Sequence, residues 1–471
     1  MSGNWKPKNR AKIPLVISLT IGIQFMPVPT LNHRVFASTE TSVNQNTSKV
    51  ELERATWFLS NVSKGNTEEA RRYFSKNLKK RITTETLHGW WSELTTEFGT
   101  VKQMGNAVSD KHNTVHKNVT IPVQFEKEPG MITIRFSRNG KQDDWLFQLT
   151  PPPISYPTPP YEQPNSYTEK EISIGKSPYQ LPGTLTIPKH NQYRKKAPVV
   201  ILVHGSGPHD QDETFGNLKP FRDLAVGLAT HGIAVLRYEK RTYEHNAKIS
   251  NEPKMTVDLE TTDDAVLAVK AIAQEKDIDS RNIFILGHSQ GAMMMPRILE
   301  RAPKSSVRGS VLLAAPARPL PELMLDQFHY LASIQQFPKE YIPYWEQQFA
   351  LLQNPNFSPN HPPKEYLLGD PEYWYDLAHW HPAEVAMNQT KPLLLLQGVR
   401  DFQVSPTADF ALWQKNLANR SNVSFKSYSK LNHFFTEGEG DKSTPAEYET
   451  PANIPSYVIK DIAQWIWKTH K

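Results

Sequence analysis

The sequence predicts an α/β protein in two unequal parts: a mostly parallel sheet covered on both faces, preceded by a small α+β unit. Three observations carry this. Residues 197–203 (Ala-Pro-Val-Val-Ile-Leu-Val) form an unbroken apolar run, the mark of a strand buried on both faces. Similar runs alternate with segments of helical periodicity from there to the C-terminus, the pattern of βαβ units. Residues 50–150 read differently, with helical periodicity first and period-two alternation after it.

In chain order, residues 1–37 read as an export signal. Lys6, Lys8, Arg10 and Lys12 precede a mostly apolar stretch at 13–26, too short for a comfortable membrane span, and Val35-Phe36-Ala37 has the small-x-small form of a cleavage site. The body of the protein is then secreted. An uncleaved segment anchoring it to the outer face of the membrane is the alternative, and the only membrane contact expected. Residues 38–49 are polar and read as disordered.

The small α+β unit spans 50–150. Apolar residues recur at helical spacing over 50–60, 67–78 and 84–98. Alternating strands are expected at 119–126 and 131–137, and Asn139-Gly140 supplies a hairpin turn into a strand at 145–149. Residues 151–168 are the linker. Seven of the fourteen residues 151–164 are proline, which favours extended backbone and bars central strand or helix. The second domain covers 169–471. An antiparallel pair at 170–174 and 184–187 opens it, and strands follow at 197–203, 233–238, 282–286, 307–314, 392–397 and 423–428. Helices are expected at 221–231, 256–274 and 458–467. Residues 316–390 exceed a simple crossover and read as a helical lid rich in Tyr and Trp. Most of those aromatics are expected to form the lid's own core.

Composition removes several classes. The chain has no cysteine, which excludes disulfides, thiolate metal sites and a cysteine nucleophile. Of the net +6, five charges sit in the first 37 residues, so the rest carries +1 and gives no electrostatic argument for nucleic acid. His379 and His381 flank Trp380 with no third ligand motif, so no metal is expected, and no cofactor.

The chemistry centres on Gly287-His288-Ser289-Gln290-Gly291, between the apolar strand 282–286 and a helical pattern at 292–301. This is G-x-S-x-G in its meaningful context, strand then sharp turn then helix. Side chains at Gly287 or Gly291 would strike neighbouring backbone. The turn lifts the Ser289 hydroxyl clear, and the Gln290 backbone N–H faces the place where an oxyanion would form. At these residues the chain resembles the α/β-hydrolase superfamily, over roughly 169–471. The unit at 50–150 resembles, by pattern alone, the uncharacterised cone-like α+β domain that precedes hydrolase domains in secreted bacterial proteins.

The resemblance implies the chain order nucleophile, acid, base. The strand 392–397 runs into Gly398-Val399-Arg400-Asp401-Phe402-Gln403-Val404, where the superfamily keeps its acid, and Leu431-Asn432-His433 follows the last strand, where it keeps its base. Ser289, Asp401 and His433 are thus the expected triad. Asp401 as a mere turn former capping a helix near Thr407, and His433 as an exposed loop residue, are the plain alternatives. Asp370, Glu372 and Asp376 precede the strand and suit the acid less well. His204-Gly205-Ser206-Gly207 resembles the oxyanion loop, with Gly205 and Gly207 allowing close approach and Ser206 N–H joining Gln290 N–H as donor. Tyr238-Glu239-Lys240-Arg241 reads as ion-paired support.

These features imply a serine hydrolase acting on a small acyl ester. A peptidase or amidase with the same triad is the second reading, in which Glu239, Glu322, Asp326 or Glu340 would hold a substrate amine. A binding protein without turnover is the third.

Overall fold

The computed structural model describes residues 49–151, 155–189, 196–303 and 306–470. The export signal read at 1–37 lies outside the described residues, as do 152–154 of the linker. So does the polar stretch at 38–49, except Lys49, which instead begins the first helix.

The N-terminal unit is a five-stranded antiparallel sheet: β1 (Val101–Met104), β2 (Val108–Ser109), β3 (His116–Phe125), β4 (Pro129–Ser137) and β5 (Gln142–Leu149). Helices Lys49–Ser63 and Thr84–Phe98 bury Phe58, Leu59, Leu87 and Phe98 in one core with Val119, Ile121, Val123 and Phe125 of β3. The helix expected over 67–78 is instead broken in three. Thr67–Ala70 leads into a tight turn at Arg71–Tyr73, and the chain then extends so that Phe74 reaches the core. Ser75 starts a new helix, Lys76–Arg81, its hydroxyl accepting from Leu78 N–H at 3.1 Å.

The second unit holds eight strands: β6 (Tyr167–Ile174), β7 (Leu181–Pro188), β8 (Ala197–Val203), β9 (Ala234–Tyr238), β10 (Ile278–His288), β11 (Val307–Leu313), β12 (Leu393–Gly398) and β13 (Val423–Tyr428). Their order is β13-β12-β11-β10-β8-β9-β7-β6. The pairs from β9 to β13 are parallel, and β7 is antiparallel to both neighbours. The unbroken apolar runs now have a cause. Val199, Ile201 and Val203 join one core, while Val200 and Leu202 join another on the opposite face with helices Pro220–Thr230 and Ser456–His470. Between β11 and β12 lie helices Leu320–Ser333, Ile342–Leu352, Pro371–Ala378 and Pro382–Met387. Trp345, Phe349, Tyr366, Tyr373 and Trp374 are buried here and contact one another or neighbouring rings, but they share one hydrophobic core with Val199, Ile201 and Val203 of the sheet and do not form a separate core of the insertion.

The two units meet just after β9. Asp144 of β5 accepts from Ala247 N and Lys248 N at 2.9 and 3.0 Å, and Lys248 Nζ bonds Asp143 at 2.6 Å. The small unit therefore braces the segment that follows Lys240.

Candidate active site

β10 ends at His288, and Ser289 adopts φ 50°, ψ −117°, a left-handed conformation that a non-glycine residue holds only where its surroundings impose it. Its N–H bonds Leu313 O at 3.0 Å. A Cβ on Gly287 would lie 2.5 Å from the Gly291 backbone, and one on Gly291 would lie 2.2 Å from Val203 O, so both glycines are required by space. The helical pattern expected over 292–301 is split into Gln290–Met293 and Met295–Arg301, because Pro296 has no N–H for the ladder.

Opposite the Ser289 turn runs the loop after β8. A Cβ on Gly205 would sit 3.3 Å from Ser289 Cβ, which places this backbone against the serine. Gly207 has φ +89°. The loop is anchored through its carbonyls: Lys240 Nζ donates to Gly205 O at 2.6 Å, His209 Nε2 bonds Ser206 O at 2.7 Å, and Thr242 Oγ1 donates to Gly207 O at 3.2 Å.

Asp401 follows β12 and is 1% exposed; His433, on the loop after β13, is 3% exposed. Their contact is direct, with His433 Nδ1 2.8 Å from Asp401 Oδ2. The other carboxylate oxygen accepts from Gln403 N and Val404 N at 2.8 and 3.0 Å. The helix near Thr407 is capped by Ser405, whose hydroxyl accepts from Ala408 N, so Asp401 does not serve that helix. Asn432 shapes the histidine loop, taking Phe434 N and Thr436 N on Oδ1, each at 3.1 Å.

Four further groups complete the site. Glu213, 1% exposed and at φ 52°, accepts from Gly205 N–H at 2.6 Å and lies 3.0 Å from His288 Nδ1. His288 Nε2 in turn bonds His433 O at 3.0 Å. His288 thus lies between a carboxylate and a carbonyl, surroundings that favour its charged form. Burial pushes the Glu213 carboxyl up, but His288, with His209 and His204 behind it, holds it at about 2. Burial pulls His288 down, and Glu213 more than restores it, above its ordinary 6.5. The second buried pair is Lys240 Nζ to Glu260 Oε1 at 2.7 Å. Lys240 and Arg241, which pairs with Asp264, are the expected ion-paired support. Glu239 has no ion pair among the described residues; it accepts from Gln211 N at 3.1 Å, and burial with Asp210 and Glu244 nearby pushes its carboxyl well up.

The local motifs gave no signal for Glu213, Glu260 or Asn432. His288 sits inside G-x-S-x-G, but nothing in sequence ties it to an acid so far away. Among the described residues one group has metal-ligand spacing: His116, Asp143 and His245, between the two units. The protein's own cations already serve it, since Lys248 bonds Asp143, and His116 lies between Asp143 at 3.1 Å and Glu244 at 2.7 Å.

The family model described as alpha/beta hydrolase family matches residues 200–449, more than half the chain, from within β8 to beyond the histidine loop. The chain belongs to the alpha/beta hydrolase family. A second model, described as a protein of unknown function (DUF3887), matches residues 55–142. Esterase EstD of Thermotoga maritima is 35% identical over 412 residues, 87% of this hydrolase and 94% of that protein. Among solved structures, the esterase domain of a Rhodothermus marinus protein aligns over 64% of this chain and 98% of its own (14% identity, TM-score 0.39). The Pyrococcus furiosus esterase PF2001 aligns over 68% and 98% (16% identity, TM-score 0.40).

Proposed function

We propose that this hydrolase cleaves carboxylic esters through an acyl-enzyme on Ser289. The observation that carries the reading is the buried Asp401–His433 contact of 2.8 Å on a loop tied to the residue before Ser289. A serine hydroxyl needs an adjacent base at neutral pH. With Nδ1 committed to Asp401, His433 Nε2 takes the Ser289 proton as Oγ attacks the ester carbonyl. Ser206 N–H and Gln290 N–H hold the oxyanion, each worth about 3 kcal/mol of transition-state stabilisation. His433 then protonates the leaving alcohol, and water attacks the acyl-enzyme by the same route reversed. The helical insertion acts as a lid over the acyl group, and residues 1–37 direct export.

The kinship with an esterase over both units supports an ester over a peptide substrate. So does the placement of the acids an aminopeptidase would use. Glu322, Asp326 and Glu340 are exposed, and Glu239 lines a cavity of about 280 Å³ between the two units whose lining does not include Ser289. The test is hydrolysis of p-nitrophenyl esters of increasing acyl length by wild type and Ser289→Ala. Turnover by wild type alone supports the reading. Wild type silent on every ester but active on peptide anilides would move the reading to a peptidase.

A further inference from the structure

Lys240, Glu260 and Tyr373 form a buried relay that joins both residues proposed to supply the oxyanion donors. Lys240 and Glu260 are 2% and 3% exposed, and no reacting atom is theirs. Lys240 Nζ makes two short bonds, 2.6 Å to Gly205 O and 2.7 Å to Glu260 Oε1. The peptide joining Gly205 to Ser206 is trans and planar, so its C=O and N–H point in opposite directions. An ammonium that fixes the Gly205 carbonyl on one side therefore fixes the direction of Ser206 N–H on the other. Glu260 Oε2, the other end of the pair, accepts from Gln290 Nε2 at 3.2 Å and from Tyr373 OH at 2.8 Å. Gln290 Nε2 also bonds Tyr373 OH at 3.0 Å. Tyr373 belongs to helix Pro371–Ala378 of the insertion. The relay thus touches the peptide before one donor, the side chain of the other donor residue, and the insertion.

We infer that Lys240 and Glu260 are positioning residues of the oxyanion hole, and that Tyr373 connects the helical insertion to it; this rests on the ester-hydrolase reading above. The ammonium does not contact substrate. It aims the Ser206 N–H at the place where negative charge develops, and the carboxylate holds Gln290 beside it. A donor so held needs no reorientation as the tetrahedral intermediate forms, which is the source of oxyanion-hole catalysis.

The test compares wild type, Lys240→Met, Lys240→Met/Glu260→Gln and Tyr373→Phe. The double variant removes both charges, so it folds even if the single one, with Glu260 left uncompensated, does not. Active sites are counted by fluorophosphonate titration, and kcat and KM are measured per titrated site on a p-nitrophenyl ester. Affinity is measured for an alkylboronic acid, which adds to serine and places an oxygen in the oxyanion hole. The account expects kcat per site to fall about a hundredfold in the lysine variants, within the range for losing an oxyanion donor. It expects KM within about twofold and boronic acid affinity falling in parallel with kcat/KM. Tyr373→Phe, which loses one hydrogen-bonding hydroxyl, falls about fivefold. A lysine variant that folds and keeps wild-type kcat per site and wild-type boronic acid affinity overturns the inference. So does a loss accounted for wholly by fewer titratable sites, because that is a purely structural role. Wild type that neither takes the probe nor turns over esters overturns the ester-hydrolase reading itself, a different result from either.

Discussion

Replacing Asp401 by Asn changes one atom, and the structure says what that atom does. The carboxylate takes four N–H groups: Gln403 N and Val404 N on Oδ1, His433 Nδ1 and Gln397 Nε2 on Oδ2. An amide has one oxygen. If it stays with the two backbone N–H groups, the new NH₂ faces His433, whose Nδ1 must then accept. The proton moves to Nε2, and on the proposed mechanism the ring can no longer take one from Ser289. If the amide turns round, two buried backbone donors lose their acceptor at about 1–3 kcal/mol each. The first arrangement wins, and Gln397 Nε2 keeps Gly398 O at 3.1 Å and Val404 O at 3.2 Å. The fold is therefore kept while the tautomer is wrong, a fault that typically costs about 10⁴-fold in kcat. At about 1.36 kcal/mol per decade this is about 5.4 kcal/mol of barrier. Steady-state hydrolysis of p-nitrophenyl acetate by Asp401→Asn, with a thermal unfolding curve beside it, checks both halves. Asp401→Asn keeping more than about a tenth of wild-type kcat would refute the reasoning and leave Asp401 a turn former.

The Glu213–His288 pair sets a pH window. The Glu213 carboxyl is held at about 2 against an ordinary 4.5, so its contribution is present above 4.5 and lost as pH falls toward 2. His288 is raised above 6.5, so its contribution is full below 6.5 and lost as pH rises through the raised value. The unfolding-temperature gap between wild type and Glu213→Gln/His288→Gln should be widest between pH 4.5 and 6.5; a flat gap from acid to alkaline pH contradicts the pairing. Gly291→Ala would put a Cβ 2.2 Å from Val203 O, and is expected to abolish activity and destabilise by about 3 kcal/mol in chemical denaturation. Gly89→Ala, in helix Thr84–Phe98 with nothing within 4 Å, should instead stabilise by about 0.5–1 kcal/mol. Asn432→Ala leaves Phe434 N and Thr436 N without their acceptor and should lower both stability, by about 2 kcal/mol, and kcat; unchanged kinetics would mean the histidine loop holds its shape without Asn432.

Sequence carried furthest where the signal is local. Ser289, Asp401 and His433 each sit at a strand end with a recognisable turn, and the contact of 2.8 Å between the last two follows from the parallel order of β12 and β13. Buried runs such as 197–203 announced strands because alternate residues feed cores on opposite faces. What stayed hidden is pairwise. Glu213 reads as one more loop acid until the fold sets it against His288, and Glu260 as one more helix-face acid until it meets Lys240. No periodicity marks such partners. The break at Phe74 was hidden for a related reason: its apolar side chain fits a helical repeat, but the core it fills can be reached only by extended backbone with Ser75 capping the helix after it. The strands β1 and β2 are too short to show alternation above their surroundings.

The central claim is a covalent acyl group on Ser289, and the most direct measurement is intact-protein and peptide mass spectrometry of enzyme quenched in acid during turnover of a p-nitrophenyl ester. The account expects an added mass equal to the acyl group, mapped to the peptide containing Ser289, and absent from Ser289→Ala, which also fails to hydrolyse the ester. An acyl group on another residue, or Ser289→Ala hydrolysing as fast as wild type, would contradict it.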